Sequence, residues 1–354
     1  MSLNYLEIIV LFCLEKLRAE RTIYSVFHLI KGKKSSQTIQ DAHIFMLEHV
    51  FKIYPDVSRA TYDETVQSLV KKGCIIEDNG QCFNITNEGK SILTQSLQIC
   101  PMPKYLNGYK YHSISVIFWN RLSLLVQVCS NLNKRNSRYL PIQKNKDVQR
   151  WIKRFLSLPK IDKQNLSDRL YNELLYILDK DQEIDPSSFV IRLTGFQSFG
   201  LTPEQAALEL KLDFYYYHVQ FINVIHYMLK VIQGEDKEIP LLCMLLEDLK
   251  IDTPLTISTR QTYSLIQQGY TIDEISIMRK LKRNTIEDHI VEMAIQLETF
   301  DIKPYVSEKR QKEILSASQK ASSKQLKQIR KYAKEASYFE IRLVLNKFGV
   351  KEWT

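Results

Sequence analysis

Apolar positions along this chain recur mostly at helical spacing. Between Ser58 and Lys72, the residues Tyr62, Val66, Leu69 and Val70 share one helical face, with Ser58 placed to cap the helix and Gly73 to end it. The same period predicts helices over Leu3–Leu17, Tyr24–Ile30 and Gln37–Phe51. Two short segments then break the pattern. Cys74–Glu77 and Gln81–Ile85 read as strands joined through Asp78-Asn79-Gly80, where Asn-Gly suits the positive backbone angles of a hairpin. Thr86-Asn87-Glu88-Gly89 opens another helix. Three helices, a helix stopped by glycine and a small hairpin predict a winged helix.

A largely apolar helix is expected over 113–133, followed by helices near Asp147–Leu156, Asn165–Leu178 and Pro186–Leu193. Thr202-Pro203-Glu204-Gln205 is a helix start, with a threonine cap, proline at the first helical position and glutamine three residues on. A short helix, Glu204–Leu210, leads into a long one, Phe214–Ile232. The run Phe214-Tyr215-Tyr216-Tyr217, with Phe221 and Tyr227, falls at helical spacing and reads as core packing. The same skeleton returns 69 residues later: Gly200, Thr202, Gln205, Ala206 and Leu212 correspond to Gly269, Thr271, Glu274, Ile275 and Leu281. An internal repeat, or two independent uses of a common motif, gives this pattern.

The second occurrence belongs to a helix-turn-helix pattern over residues 258–298. A helix over Thr259–Gln268 stops at Gly269. Thr271 and Glu274 form a capping box for a second helix that is expected to bury Ile272, Ile275 and Met278. After a turn at Leu281–Asn284, Asn284 is expected to cap a third helix, with Glu287 as its reciprocal capping residue and Ile286, Ile290, Met293 and Leu297 on the inner stripe. Such a third helix can enter a major groove. Thr285 and His289 are its candidate base contacts, and Arg279, Lys280, Lys282 and Arg283 its candidate phosphate contacts. Glu287, Asp288 and Glu292 oppose this, because an outward acidic face repels phosphate.

Composition narrows the class. Apolar residues make up 44% of the 354 positions, and 10 Gly and 10 Pro signal few turns, so a mainly α protein is expected. Its expected parts are a winged helix with a small hairpin (1–100), a helical middle domain (101–250) and a C-terminal helix-turn-helix domain (251–354). The apolar opening, Leu3–Leu14, contains Glu7 and is too short to span a bilayer. A cytoplasmic location follows, with nucleoid association left open, and no membrane partner is expected. The six cysteines show no C-x-x-C pair and read as reduced, mostly buried thiols.

The net charge of +9 is unevenly placed. Residues 133–160 hold nine basic residues against Asp147 alone, and 300–354 hold 13 basic and 6 acidic ones, whereas 161–250 hold 8 basic and 15 acidic ones. Concentrated positive blocks steer polyanions. In the first block Arg150, Lys153 and Arg154, with Tyr139 and Trp151 among them, suit a nucleic-acid backbone and one or two stacked bases. In the second, Lys320, Lys324, Lys327, Lys331 and Lys334 fall at alternating four- and three-residue spacing, which on one helix forms a single stripe. Arg59, Thr61, Thr65 and Lys71 form the expected outward face of the winged-helix segment.

The string Gly269-Tyr270-Thr271-Ile272-Asp273-Glu274-Ile275, with Thr285-Ile286, His289-Ile290 and the closing Ser337-Tyr338-Phe339-Glu340-Ile341-Arg342, resembles a helix-turn-helix domain found at the C-termini of some RecQ-family helicases and in stand-alone YpbB-like proteins. The resemblance covers 255–349, and chain length and order suit a YpbB-like protein throughout. It implies DNA binding or helicase partnership, and it brings no catalytic residues.

No phosphate-binding loop, dinucleotide fingerprint, H-E-x-x-H or nucleophile elbow occurs. The expectation is a non-enzymatic DNA-binding accessory to a RecQ-family helicase in DNA repair or recombination, with no cofactor, metal or small-molecule substrate. The alternatives are a helix-turn-helix transcriptional regulator and a protein-interaction scaffold with degenerate helix-turn-helix units.

Overall fold

A computed structural model describes residues 3–234, 236–249, 255–321 and 323–349. The chain runs through α1 (Tyr5–Leu17), α2 (Ile23–Lys31), α3 (Ser36–Ile44), α4 (Arg59–Lys71), strands β1 (Ile75–Glu77) and β2 (Phe83–Ile85), and α5 (Asn87–Ile99). It continues through α6 (Gly108–Tyr111), α7 (Ser115–Asn133), α8 (Lys146–Phe155), α9 (Leu166–Asp179), α10 (Ser187–Val190), α11 (Pro203–Glu209), α12 (Phe214–Gln233) and α13 (Pro240–Met244). The last elements are α14 (Ile257–Gln267), α15 (Ile272–Arg279), α16 (Arg283–Gln296), α17 (Glu308–Lys320), α18 (Leu326–Tyr332) and α19 (Tyr338–Val344). The protein is thus mainly α, with one antiparallel hairpin among the described residues, as the apolar periodicity predicts. None of the described helices is long and apolar enough to cross a membrane.

The chain divides into two compact units, one drawn from Met1–Ile9 and Ile92–Lys250, the other from Val10–Ser91 and Ile251–Thr354. In the first, α7, α9, α12 and α13 surround a core of Phe118, Leu122, Leu170, Ile177, Met228 and Leu242. In the second, Ile275, Ile286, Ile290, Ile314, Ile329 and Ile341 form a core beneath α14–α19. Helices α2, α3 and α4 and the hairpin belong to this second unit. Within it α3 packs on α16 and on the π turn Leu345–Gly349, and His43 Nε2 lies 3.1 Å from the Asn346 carbonyl.

Local chemistry accounts for the hairpin segment. Ser58 caps α4 by accepting from the Thr61 N–H, and Gly73, at φ 69°, ends it. Val70, expected inside, is 45% exposed, and Thr65, expected outside, is buried with its hydroxyl donating to the Thr61 carbonyl. The inner face of α4 is therefore Tyr62, Thr65, Val66 and Leu69. The strands join through Asn79, Gly80 and Gln81, inside an Asp78 N–H to Cys82 carbonyl bond of 2.9 Å. Gly80 and Gln81 both take positive φ. Thr86 then ties the hairpin to α5: its hydroxyl donates to the Gly73 carbonyl at 2.7 Å and accepts from the Gly89 N–H at 3.0 Å. A Cβ at Gly89 would stand 2.1 Å from the Cys74 carbonyl oxygen, so only glycine allows this approach.

The helix expected over Gln37–Phe51 stops at Ile44. Phe45 leaves helical angles, Met46 takes φ 55°, and a 3-10 turn, Glu48–Val50, follows. A continuous helix would spread Phe45, Leu47, Val50 and Phe51 around its circumference. The break lets all four be buried.

The 69-residue correspondence extends to atomic detail. Thr202 with Gln205, and Thr271 with Glu274, each form a complete capping box. Both short helices close on a left-handed lysine, Lys211 at φ 54° and Lys280 at φ 52°. The Leu212 N–H donates to the Ala207 carbonyl, and the Leu281 N–H to the Ser276 carbonyl. Ala206 and Ile275 are both fully buried, and Leu208 and Ile277 are 80% and 78% exposed. The pairs α11–α12 and α15–α16 are therefore built alike.

Candidate nucleic-acid interface

Thr256 caps α14 through the Thr259 N–H. Glu292, on α16, closes this end: its carboxylate accepts from the Thr256 N–H at 2.6 Å and from the Thr259 hydroxyl at 2.6 Å. A buried carboxylate needs such donors, because unpaired it would be costly to desolvate. One turn along, His289 Nδ1 lies 2.8 Å from the Thr262 hydroxyl, and Arg279 bonds the same hydroxyl. Arg279 also donates to the Ser258 carbonyl at 2.7 Å and to Gln261 Oε1 at 2.8 Å. Burial, aided by the Arg279 guanidinium, lowers His289 to about 4.

These contacts correct two expected DNA contacts. His289 is buried and Arg279 is spent on α14, so both brace the domain from within. Packing against α3, α14, α15, α19 and the π turn explains this, because it buries α16 from His289 to Ala294. The exposed part of α16 is its first turn. The helix starts at Arg283 with Lys282 at its cap, not the expected Asn284; Lys280, Lys282 and Arg283 are exposed there, and Thr285 is half-buried. Arg283 pairs with Asp273 and, at 3.2 Å, with Glu287. Met278, expected inside α15, is 52% exposed beside Ile277.

The same geometry disposes of the acidic face expected on α16. Glu292 is buried, Glu287 is held by Arg283, and Asp288 pairs with Arg342 at 2.5 Å. Charges buried or paired in this way oppose a phosphate at the tip of the turn less than an open acidic face would.

The lysine stripe is not one helix. α17 ends at Lys320, Ala321 turns extended at ψ 140°, and α18 starts only at Leu326 and ends at Tyr332. Lys320, Lys327, Lys331 and Lys334 lie at the surface of these separate pieces. Lys324 is drawn inward: its ammonium donates to the Ile44 carbonyl at 2.9 Å over the Phe45 ring, and burial lowers its pKa.

In the other unit, α8 exposes Arg150, Lys153 and Arg154, with Arg150 paired to Asp147 at 2.5 Å. Trp151, half-buried on the same helix and one turn before Arg154, is held from its inner side. Its indole N–H donates to Asp248 at 2.9 Å, and the Arg121 guanidinium lies 4.1 Å from its ring centre.

Arg59 is exposed at the start of α4, where its guanidinium stacks on Tyr24 at 3.3 Å and pairs with Asp63 at 3.0 Å. Around it the fold gathers cations that the charge pattern alone did not single out. Lys33 and Lys34 are exposed beyond α2, and the Lys31 ammonium donates to the Val57 carbonyl at 2.9 Å. The Lys52 stem crosses Gly32, where a Cβ would meet it at 2.3 Å. The pKa of His28 is lowered by burial and then by Lys33 and Arg59; that of Lys52 is lowered by burial and then by Lys34. The signal was the run Lys31-Gly32-Lys33-Lys34, diluted among the eleven acidic residues of positions 1–132.

Residues 258–345 match the family described as a helix-turn-helix domain. The chain is 36% identical over 349 residues to the protein YpbB of Bacillus subtilis (strain 168), covering 98% of each chain. No solved structure matches it.

Proposed function

Because this chain belongs to the YpbB family, with a helix-turn-helix domain near its C-terminus, we propose that it is a non-enzymatic DNA-binding accessory protein. Its DNA contacts are electrostatic and use the tips of turns. Lys280 and Lys282 meet the backbone beside the first turn of α16, where Arg283 holds Asp273 and Glu287 and the helix N-terminus also favours phosphate. The cations around Arg59 and the α8 row of Arg150, Lys153 and Arg154 add separate contacts. It acts in the cytoplasm, without cofactor or small-molecule substrate, and its protein partner is a RecQ-family helicase supplied as a separate chain, in DNA repair or recombination.

The observation that carries this reading is the surface position of Lys280 and Lys282 at a turn whose acidic neighbours are buried or paired. Binding to duplex, forked and single-stranded DNA, titrated at several salt concentrations, tests it. The expected result is affinity that falls steeply with salt, by about 0.9 in log–log slope per phosphate held. Co-purification with the host helicase that survives nuclease tests the partnership. Dissociation of the complex on nuclease treatment refutes a direct partnership, and failure to bind any DNA in dilute buffer refutes the whole reading.

A second reading, a protein-interaction scaffold, is favoured by Ile277 and Met278. These are large apolar side chains on the outer face of α15, 78% and 52% exposed. It predicts helicase binding that is indifferent to charge reversal at Lys280 and Lys282.

A further inference from the structure

Beside Trp151 the first unit holds a cavity of about 300 Å³ that neither family membership nor the helix-turn-helix match explains. Trp151, Phe155, Leu158 and Met244 line its apolar part, and Arg154, Glu247 and Asp248 complete it. Its wall is rigid. The Trp151 and Phe155 rings stack at 5.1 Å and 20°, and the Arg121 guanidinium lies against the indole. Arg121 is itself fixed by two bonds to Asp248, at 2.6 and 2.9 Å, and by one to the Leu245 carbonyl at 2.6 Å. Glu247 is held at 3.0 Å by Lys160.

We propose that this cavity receives one unstacked base of single-stranded DNA, with the amine-bearing bases preferred over thymine. This rests on the DNA-binding reading above and assigns it a site. Three features point to a base. The volume is at the small end for ligand pockets, which suits one flat ring system. Its apolar part is aromatic, and stacking on aromatic side chains is how single strands are held without a duplex. The polar groups on the wall divide by charge. Glu247 and Asp248 can accept from an exocyclic amine, the donor that cytosine, adenine and guanine carry and thymine lacks. Arg150, Lys153 and Arg154 lie exposed on the helix that carries Trp151, so a phosphodiester running along α8 would meet cations on either side of an inserted base.

The chain has three tryptophans, Trp119, Trp151 and Trp353, so the difference in fluorescence between the parent and Trp151→Phe isolates the response of Trp151. Full-length protein and Trp151→Phe are titrated with oligo(dC), oligo(dT) and duplex DNA. A second variant, Met244→Phe, fills the cavity without touching the indole. The expected results are quenching by oligo(dC) that Trp151→Phe abolishes, and weaker binding of oligo(dT) than of oligo(dC). Met244→Phe should bind oligo(dC) about tenfold more weakly, with duplex affinity unchanged, as removal of one stacked base implies. Equal quenching in the parent and Trp151→Phe, or unaltered oligo(dC) affinity in Met244→Phe, overturns the inference while duplex binding leaves the wider reading intact. A Trp151 response to a protein partner but not to any oligonucleotide also overturns it. Absence of all DNA binding overturns both.

Discussion

His289 Nδ1 and the Thr262 hydroxyl face each other at 2.8 Å, and this pairing holds the imidazole inside the domain, not at a groove. A histidine held neutral by burial makes stability depend on pH. His289 is lowered to about 4 from an ordinary value near 6.5, so the unfolded chain binds more protons between those values. Its contribution is complete above about pH 6.5 and is lost as pH falls toward 4. Thermal unfolding of the parent should therefore show a drop in Tm from pH 7 to pH 4.5 that is smaller in His289→Gln. Equal drops in the two proteins would contradict the burial. His226, lowered to about 3 by burial, adds a fall of the same sign that the variant keeps.

Arg279 and Lys280 are neighbours in sequence with opposite roles, and substitution should separate them. Arg279→Ala removes the donor to Ser258 and Gln261 and should cost about 1–3 kcal/mol of stability, read by chemical denaturation. The surviving folded fraction should bind DNA normally.

Lys280→Glu with Lys282→Glu should leave Tm within a few degrees of the parent. It should weaken DNA binding and reduce the salt slope by about 0.9 for each phosphate the variant can no longer hold. An unchanged slope would move the interface away from this turn.

At the other end of the second unit, Lys33→Glu with Lys34→Glu tests the cluster around Arg59. These side chains are exposed, so folding should be unaffected while DNA affinity falls and its salt dependence flattens. Lys324→Glu is a poor control for any such effect. It buries a charge against the Ile44 carbonyl and should destabilise the protein before any DNA is added.

Gly89→Ala should destabilise the hairpin segment by about 1–3 kcal/mol, because the added methyl meets the Cys74 carbonyl at 2.1 Å. Urea unfolding followed by a hairpin-sensitive probe would detect it. A neutral substitution would mean that α5 can shift away at no cost.

Local signals explain why so much of the fold was readable. Caps at Ser58, Thr202 and Thr271, and the hairpin at Gly80, are dictated by neighbours a few residues apart. What periodicity misassigned depends on partners far along the chain. The break after Ile44 serves packing of α3 on α16, and the inward turn of Lys324 depends on a carbonyl 280 residues away. Met278 and Val70 lie at the margins of their apolar stripes, where the pattern does not say which side of the boundary is covered. The candidate interface was readable as charge but not as geometry. Charge placed Lys280 and Lys282 correctly on the surface, but could not say that Arg279 and His289 turn inward or that Lys33 and Lys34 join Arg59.

The matched turns at Lys211 and Lys280 share an architecture but not a cargo. Equivalent capping boxes and closing bonds carry Asp213 and Phe214 at one tip and Lys282 and Arg283 at the other. Asp213 is tied into the scaffold as the cap of α12, whereas the Lys282 side chain caps nothing, so only the second tip can change its side chains without loosening the helix it begins.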